Sequence, residues 1–195
     1  MRQGLVRDLR ELCTERDLTV IQVSHSRQEA YALADRVVVL IDGRIHQEAS
    51  PEEVFSHPVD EDVARFSGME NILPGTVIAD RGGVLAVDIA GLGRVIAAGS
   101  GIPGERVSLC IRATDVMLVP DRGRELGVNN LISGTVTGTE TDDRSIEVFI
   151  DAGGIPIRAA LHPGMAGAVP AAGEIATVRI PPKKVHLIGG SVMEA

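Results

Sequence analysis

NILPGTV, residues 71–77, returns as NLISGTV, residues 130–136. Both stretches follow the pattern Asn-hydrophobic-x-x-Gly-x-Val. A second echo lies further on, where Gly104-Glu105-Arg106-Val107 is answered by Gly173-Glu174-Ile175-Ala176. Both copies then close on a valine two residues before a leucine, Val116/Leu118 and Val185/Leu187. The offset is 59 for the first echo and 69 for the second, so the second copy carries about ten extra residues. Gly-Gly and Pro-Gly turns cut each copy into four or five short strands, the pattern of a small open barrel of the OB type. Two such copies, about residues 69–120 and 128–190, are expected to lie side by side and bury each other's open edges.

Before the repeats the texture differs, and the change after Phe66 marks two domains, residues 1–62 and 63–195. Leu5, Val6, Leu9, Leu12 and Cys13 recur at helical spacing, which predicts an amphipathic helix over roughly 2–16. Leu18 to Val23 reads as a buried strand. Ser26 is placed to cap the next helix, with Glu29 as its capping-box partner. Arg36 to Ile41 is a β-branched run of the kind covered on both faces. Asp42-Gly43 predicts a tight hairpin turn, with Arg44 to Ala49 as the returning arm. Ser50-Pro51-Glu52-Glu53 combines a cap, a proline at the first helical position and an acidic first turn, and this helix ends near His57-Pro58. The first sixty residues are thus α/β in pattern and the remainder is all-β.

The composition narrows the function. Aromatics make up 2% of the chain, so the cores must be built from Val, Ile, Leu and Ala. A net charge of −8 and the lack of base-stacking aromatics disfavour nucleic acid as a partner. Cys13 and Cys110 lie far apart outside any CxxC and read as reduced core thiols. No charged-then-apolar leader opens the chain and no apolar run of about 18 residues occurs, so a soluble, cytosolic protein is expected. Among lesser candidates, Glu140, Asp142 and Asp143 read as a solvated turn, and Lys183-Lys184 as a solvated strand edge. His162 reads as a loop residue with no partner for a metal, and Arg36 reads as a surface pair with Asp35.

One histidine stands apart. His25 ends an apolar run just before a helix, and open α/β sheets gather ligands at the carboxyl ends of their strands. A neutral imidazole there can donate to a terminal phosphate oxygen or orient a water. Its surroundings, Val23-Ser24-His25, Glu29-Ala30, Leu33-Ala34-Asp35-Arg36 and Asp42-Gly43-Arg44-Ile45, resemble the switch-histidine region of ATP-binding-cassette (ABC) transporter ATPases. Pro51-Glu52-Glu53-Val54-Phe55 and His57-Pro58 resemble the segment that follows it in importer subunits. The paired barrels resemble the transport-associated (TOBE) regulatory modules of the same proteins, and the repeated asparagine pattern resembles their molybdate-binding (Mop) version.

The resemblance implies a fold: the α/β C-terminal segment of an ABC nucleotide-binding domain, followed by tandem OB-like barrels. It implies that His25 contacts the γ-phosphate of ATP held between two subunits. ATP and magnesium would be cofactors of the larger subunit, with none expected for this part alone. No GxxxxGK[ST] occurs in the chain, and Leu131-Ile132-Ser133-Gly134 is only a chance likeness to an LSGGQ signature. Those motifs and the magnesium-holding strand are expected upstream of Met1, so the chain by itself is expected to be inactive toward ATP. The implied partners are a second copy of the chain and a membrane permease, which would place the protein in the cytoplasm at the inner face of the membrane.

For an oxyanion such as molybdate, tungstate or sulfate, the resemblance points to Asn71, Arg112 and Thr114 in the first copy. In the second it points to Asn130 and Lys183. Glu70 and Asn129 stand where the Mop pattern has arginine, Gly68 and Gly127 where it has serine, and Pro181 where a cation would fit. The function implied is the C-terminal regulatory part of a molybdate or tungstate importer's ATP-binding subunit. The alternatives are a sulfate, iron or polyamine importer whose barrels only dimerise, and a free-standing cytosolic oxyanion-binding protein.

Overall fold

The computed structural model describes residues 11–13, 15, 16, 18–24, 26–119 and 130–189. The chain divides into two units, residues 1–63 and 64–195.

In the first unit, helix α1 (Arg27–Leu33) is followed by strands β1 (Val37–Ile41) and β2 (Arg44–Ala49) and helix α2 (Pro51–Ser56). The hairpin forms where Asp42-Gly43 predicts it. Both turn residues take positive φ, 49° and 75°, as a type I′ turn requires. Ser50 caps α2 by accepting the Glu53 N–H, with Pro51 in the first turn. Val39, Val54, Phe55 and Val63 form a small core, and Tyr31 and Arg27 of α1 pack on the Phe55 ring. Gln47 is buried because it ties down the next loop, donating to the His57 carbonyl and accepting from the Val59 N–H.

Several expectations change here. Residues 18–23 form no strand and are exposed, Val23 at 98%. A central strand needs hydrogen-bonded neighbours on both edges, and none of the described residues pairs with this stretch. Strand β1 is covered on one face only; Val39 is buried while Val38 and Leu40 are exposed. Arg36 pairs with Glu48 across the hairpin at 2.9 Å, not with its neighbour Asp35. A further helix, α3 (Glu61–Phe66), stands where no helix is predicted; Asp60 begins it by accepting the Val63 N–H at 2.8 Å. Of the predicted helix over 2–16, residues 2–10 lie outside the described residues, and 11–13, 15 and 16 are helical.

The second unit holds ten strands among the described residues. The first repeat supplies β3 (Asn71–Asp80), β4 (Val84–Ile89), β5 (Gly93–Ala98), β6 (Arg106–Ile111) and β7 (Met117–Val119). The second supplies β8 (Asn130–Thr141), β9 (Ile146–Asp151), β10 (Pro156–Leu161), β11 (Ile175–Ile180) and β12 (His186–Gly189). They form two five-stranded sheets, ordered β12-β6-β3-β4-β5 and β10-β9-β8-β11-β7.

The echoed residues explain how each sheet curls. Strand β3 pairs with β6 over Asn71–Thr76 and with β4 from Thr76 on, and a bulge between Val77 and Ala79 bends it. Strand β8 does the same with β11 and β9, its bulge falling between Val136 and Gly138. At the bend the strands come so close that only glycine fits. A Cβ on Gly75 would lie 2.6 Å from Val87, and one on Gly134 would overlap the Asp151 carbonyl oxygen. The Gly-Glu echo closes the bend, since Val77 exchanges hydrogen bonds with Gly104 and Glu105, and Val136 with Gly173 and Glu174.

The repeats do not merely lie side by side. The last strand of each belongs to the sheet of the other: β7 pairs with β11 (Leu118 opposite Val178), and β12 pairs with β6 (Leu187 opposite Leu109). Val116 and Val185, the residues just before the exchanged strands, are buried in a single apolar core to which both repeats contribute. Each five-stranded sheet therefore takes one strand from the other repeat, and the two copies fold as one body.

Candidate functional site

His25 lies outside the described residues. Its sequence neighbours Ser24, Ser26 and Glu29 are joined by a relay of hydrogen bonds. The Ser26 N–H donates to Ser24 Oγ at 3.0 Å, and Ser24 Oγ donates to Glu29 Oε2 at 2.6 Å. The Glu29 N–H in turn donates to Ser26 Oγ at 3.3 Å. This is a modified capping box: the Glu29 carboxylate takes the Ser24 hydroxyl instead of the cap residue's own N–H.

The first unit also brings together His46, Asp60 and Asp62, which sequence spacing does not reveal. His46 Nδ1 lies 2.7 Å from Asp60 Oδ2. Partial burial would push the Asp60 carboxyl up, but the Val63 N–H and His46 outweigh it and hold the group below its ordinary value. Asp60 thus starts α3 and anchors it to β2.

In the second unit the two nominated asparagines fall at the seam between repeats. Asn71 is 2% exposed at the start of β3. Its amide donates to the carbonyls of Ile111 and Arg158 (3.3 and 3.0 Å), and its Oδ1 accepts the Arg158 N–H at 2.7 Å. Asn130 makes the mirror set, donating to the carbonyls of Ile180 and Ile96 (3.1 and 2.7 Å) and accepting the Ile96 N–H at 2.6 Å. Each asparagine therefore behaves as a surrogate strand residue, giving one donor and one acceptor to an edge strand of the opposite repeat: β10 for Asn71, β5 for Asn130. Both amide hydrogens of each are engaged. A carboxamide on so short a side chain offers two N–H donors and a carbonyl acceptor at once, which is the set used here.

Arg112, before the 3-10 turn Ala113–Asp115, donates from Nη1 to the carbonyls of Ser67 and Gly68 at 2.6 and 3.3 Å. Glu70, two residues beyond Gly68, accepts the Ala113 N–H at 2.8 Å. The two side chains stitch residues 67–70 to the turn from both sides. Thr114 and Lys183 are exposed. The matching 3-10 turn at the end of the second repeat is Pro182–Lys184, and Lys184 Nζ meets Asp115 Oδ1 at 3.0 Å. The structure thus brings Asn71 and Arg112 to the ends of strands paired with one another, and each meets main-chain groups there.

The remaining candidates are local. Asp142 Oδ1 accepts the N–H groups of Arg144 and Ser145, both at 2.7 Å, and these bonds hold its carboxyl below the usual range in an exposed turn. His162 Nδ1 accepts the Gly164 N–H at 3.1 Å. Neither Cys13 nor Cys110 forms a disulfide; Cys110 is buried in the core, whereas Cys13 is only half-buried and not a core thiol. No helix among the described residues is long and apolar enough to cross a membrane.

No family model matches the chain. It is 51% identical over 80 residues to the Fe(3+) ions import ATP-binding protein FbpC of Streptomyces avermitilis, covering 41% of the chain and 23% of that protein. To the spermidine/putrescine import ATP-binding protein PotA of Ruegeria pomeroyi it is 34% identical over 142 residues, 72% of the chain and 38% of the relative. To the molybdate/tungstate import ATP-binding protein WtpC of Pyrococcus horikoshii it is 32% identical over 161 residues, 80% of the chain and 42% of the relative. The chain therefore spans less than half the length of each of these relatives. Among solved structures it is similar to the cytoplasmic molybdate-binding protein ModG with molybdate bound. The TM-score is 0.55 at 25% identity, over 60% of this chain and 94% of that one. The similarity is thus to ATP-binding subunits of importers as a class, and in structure to a molybdate-binding protein.

Proposed function

We propose that the chain serves as the C-terminal regulatory part of an importer's ATP-binding subunit, of the molybdate or tungstate type. What carries this reading is the combination on one chain of the Val23–Pro58 importer pattern with an interlocked pair of barrels like that of a molybdate-binding protein. The named relatives import iron, polyamines and molybdate or tungstate, so what they share is the ATP-driven machinery rather than the cargo. Among these three, the molybdate/tungstate relative matches the largest share of the chain, 80%.

In this role His25 senses the γ-phosphate of ATP, with magnesium and the phosphate-binding loop supplied by the rest of the subunit. Two copies pair, and the pair acts on a membrane permease. The test is a chimera in which this chain replaces the matching part of a molybdate/tungstate subunit. Retained ATP turnover that falls at least about a hundredfold on His25→Ala supports the reading, the scale expected for a group acting only in the transition state. A folded chimera without turnover sinks it.

A second reading keeps the subunit and gives the barrels no ligand. It is favoured by the engagement of both asparagine amides with main-chain partners and of Arg112 with two main-chain carbonyls. Calorimetric titration with molybdate, tungstate and sulfate separates the two readings. Heat that disappears with Arg112→Ala or Lys183→Ala assigns an anion sensor, and no heat leaves the barrels as a structural and pairing module.

A further inference from the structure

The contacts that join the two repeats occur twice, once in each direction. Asn71 on Arg158 mirrors Asn130 on Ile96, and β7 on β11 mirrors β12 on β6. The repeats are therefore related by a local two-fold axis, and a residue near that axis meets its own counterpart.

Two contacts lie there. Gly91 and Gly153 lie in the equivalent turns β4–β5 and β9–β10, and a Cβ on Gly153 would stand 2.9 Å from the Gly91 carbonyl oxygen. Asp115 and Lys184 hold corresponding places in the two 3-10 turns, at the offset of 69 that relates β6 to β11. Their side chains form an ion pair of 3.0 Å. At the first pair the repeats are identical; at the second they carry opposite charges.

Most of the seam is indifferent to which repeat it joins. The exchanged strands bind through main-chain hydrogen bonds, the asparagines bind main-chain groups, and Val116/Val185 and Leu118/Leu187 are the same residues in both copies. Two first repeats would set Asp115 against Asp115, and two second repeats would set Lys184 against Lys184. Like charges at that distance repel, where the unlike pair attracts.

We propose that the seam is a recognition surface built for the unlike repeat. Repeat 1 takes repeat 2 as its partner, within the chain or on a second copy of it, and rejects its own kind. The consequence is that the barrels close one way, and strand exchange between copies cannot scramble them into like pairs. This rests on the barrel geometry and not on the importer reading.

The test uses the whole protein cut once at a protease site placed within residues 120–129. The cut protein is held in partial denaturant to let the pieces exchange, returned to buffer at low salt, and weighed by native mass spectrometry. Unlike pairs should exceed like pairs roughly tenfold beyond the statistical ratio, the scale of a half-exposed pair turned from attraction to repulsion. Lys184→Asp should bring the distribution to the statistical ratio, and adding Asp115→Lys to it should restore the preference.

Like pairs at the statistical ratio in the unaltered protein overturn the proposal, as does an unchanged preference in Lys184→Asp. Should the cut pieces fail to reassemble, the same double-mutant cycle on the uncut chain decides. Coupling between Asp115 and Lys184 that weakens with added salt supports the proposal, and independent effects overturn it.

Discussion

The side chain of Asn71 closes a two-point hydrogen bond with the main chain of Arg158, 87 residues further along. A carboxamide here takes the place of a strand, presenting N–H and C=O to the exposed edge of β10. Asn130 does the same for β5 at Ile96. Edge strands invite pairing with other chains, and this chain satisfies two of them with its own asparagines.

Asn130→Ala therefore strands the Ile96 N–H and C=O and one further carbonyl. We expect a loss of about 2–4 kcal/mol in urea unfolding, the scale of more than one unsatisfied buried polar group. Asn130→Asp should cost at least as much, because a carboxylate has no hydrogen to give the Ile96 and Ile180 carbonyls. An Asp variant as stable as the parent would show that the donor half of the bond contributes nothing.

Gly134 and Gly138 lie four residues apart on β8 with opposite demands. A Cβ on Gly134 would overlap the Asp151 carbonyl oxygen, whereas one on Gly138 meets nothing within 4 Å. Gly134→Ala is expected to cost about 1–3 kcal/mol or more by overpacking, and Gly138→Ala to stay near neutral. Comparable melting temperatures for the two variants would contradict the close approach at the bend.

Asp60 gives a pH dependence whose sign is fixed. Its carboxyl is held below the ordinary 3.8, so the folded form loses this proton more readily than the unfolded chain. The stabilisation is complete above the unfolded value and fades as pH falls through the folded one. Asp60→Asn should lower the stability of the first unit at pH 7 and flatten its decline between pH 5 and 3. Parallel melting curves against pH for the two proteins would remove Asp60 as the anchor of α3.

The chain contains no GxxxxGK[ST]. Purified, it should release no phosphate from ATP above the buffer rate, since the loop motif that cradles the β- and γ-phosphates is not in the sequence. Turnover that is lost on His25→Ala would mean that the histidine works with phosphate-binding groups of this chain.

What the sequence determined is local. The Asp42-Gly43 turn, the Ser50 cap with Pro51, the Ser26 cap and the two Asn-to-Val repeats could all be read off directly. In each, the partners lie within a few residues, or the motif recurs. Gly75 and Gly134 were visible as a repeated glycine, but the bend there and its cause, a neighbouring strand pressing on the Cα, were not. Tertiary structure decided everything that depends on distant partners. Apolar content predicted a buried strand at 18–23 and a doubly covered β1, yet burial depends on what packs above a strand, and no described residue pairs with 18–23. The exchange of β7 and β12 left no trace in the pattern, because ladder hydrogen bonds are made by the main chain and are blind to which repeat supplies it. The asparagines were visible as a motif, but their role waited on Arg158 and Ile96, positions with no signature of their own. The pairing of Asp115 with Lys184 needed the two-fold axis, which exists only once the repeats have folded onto each other.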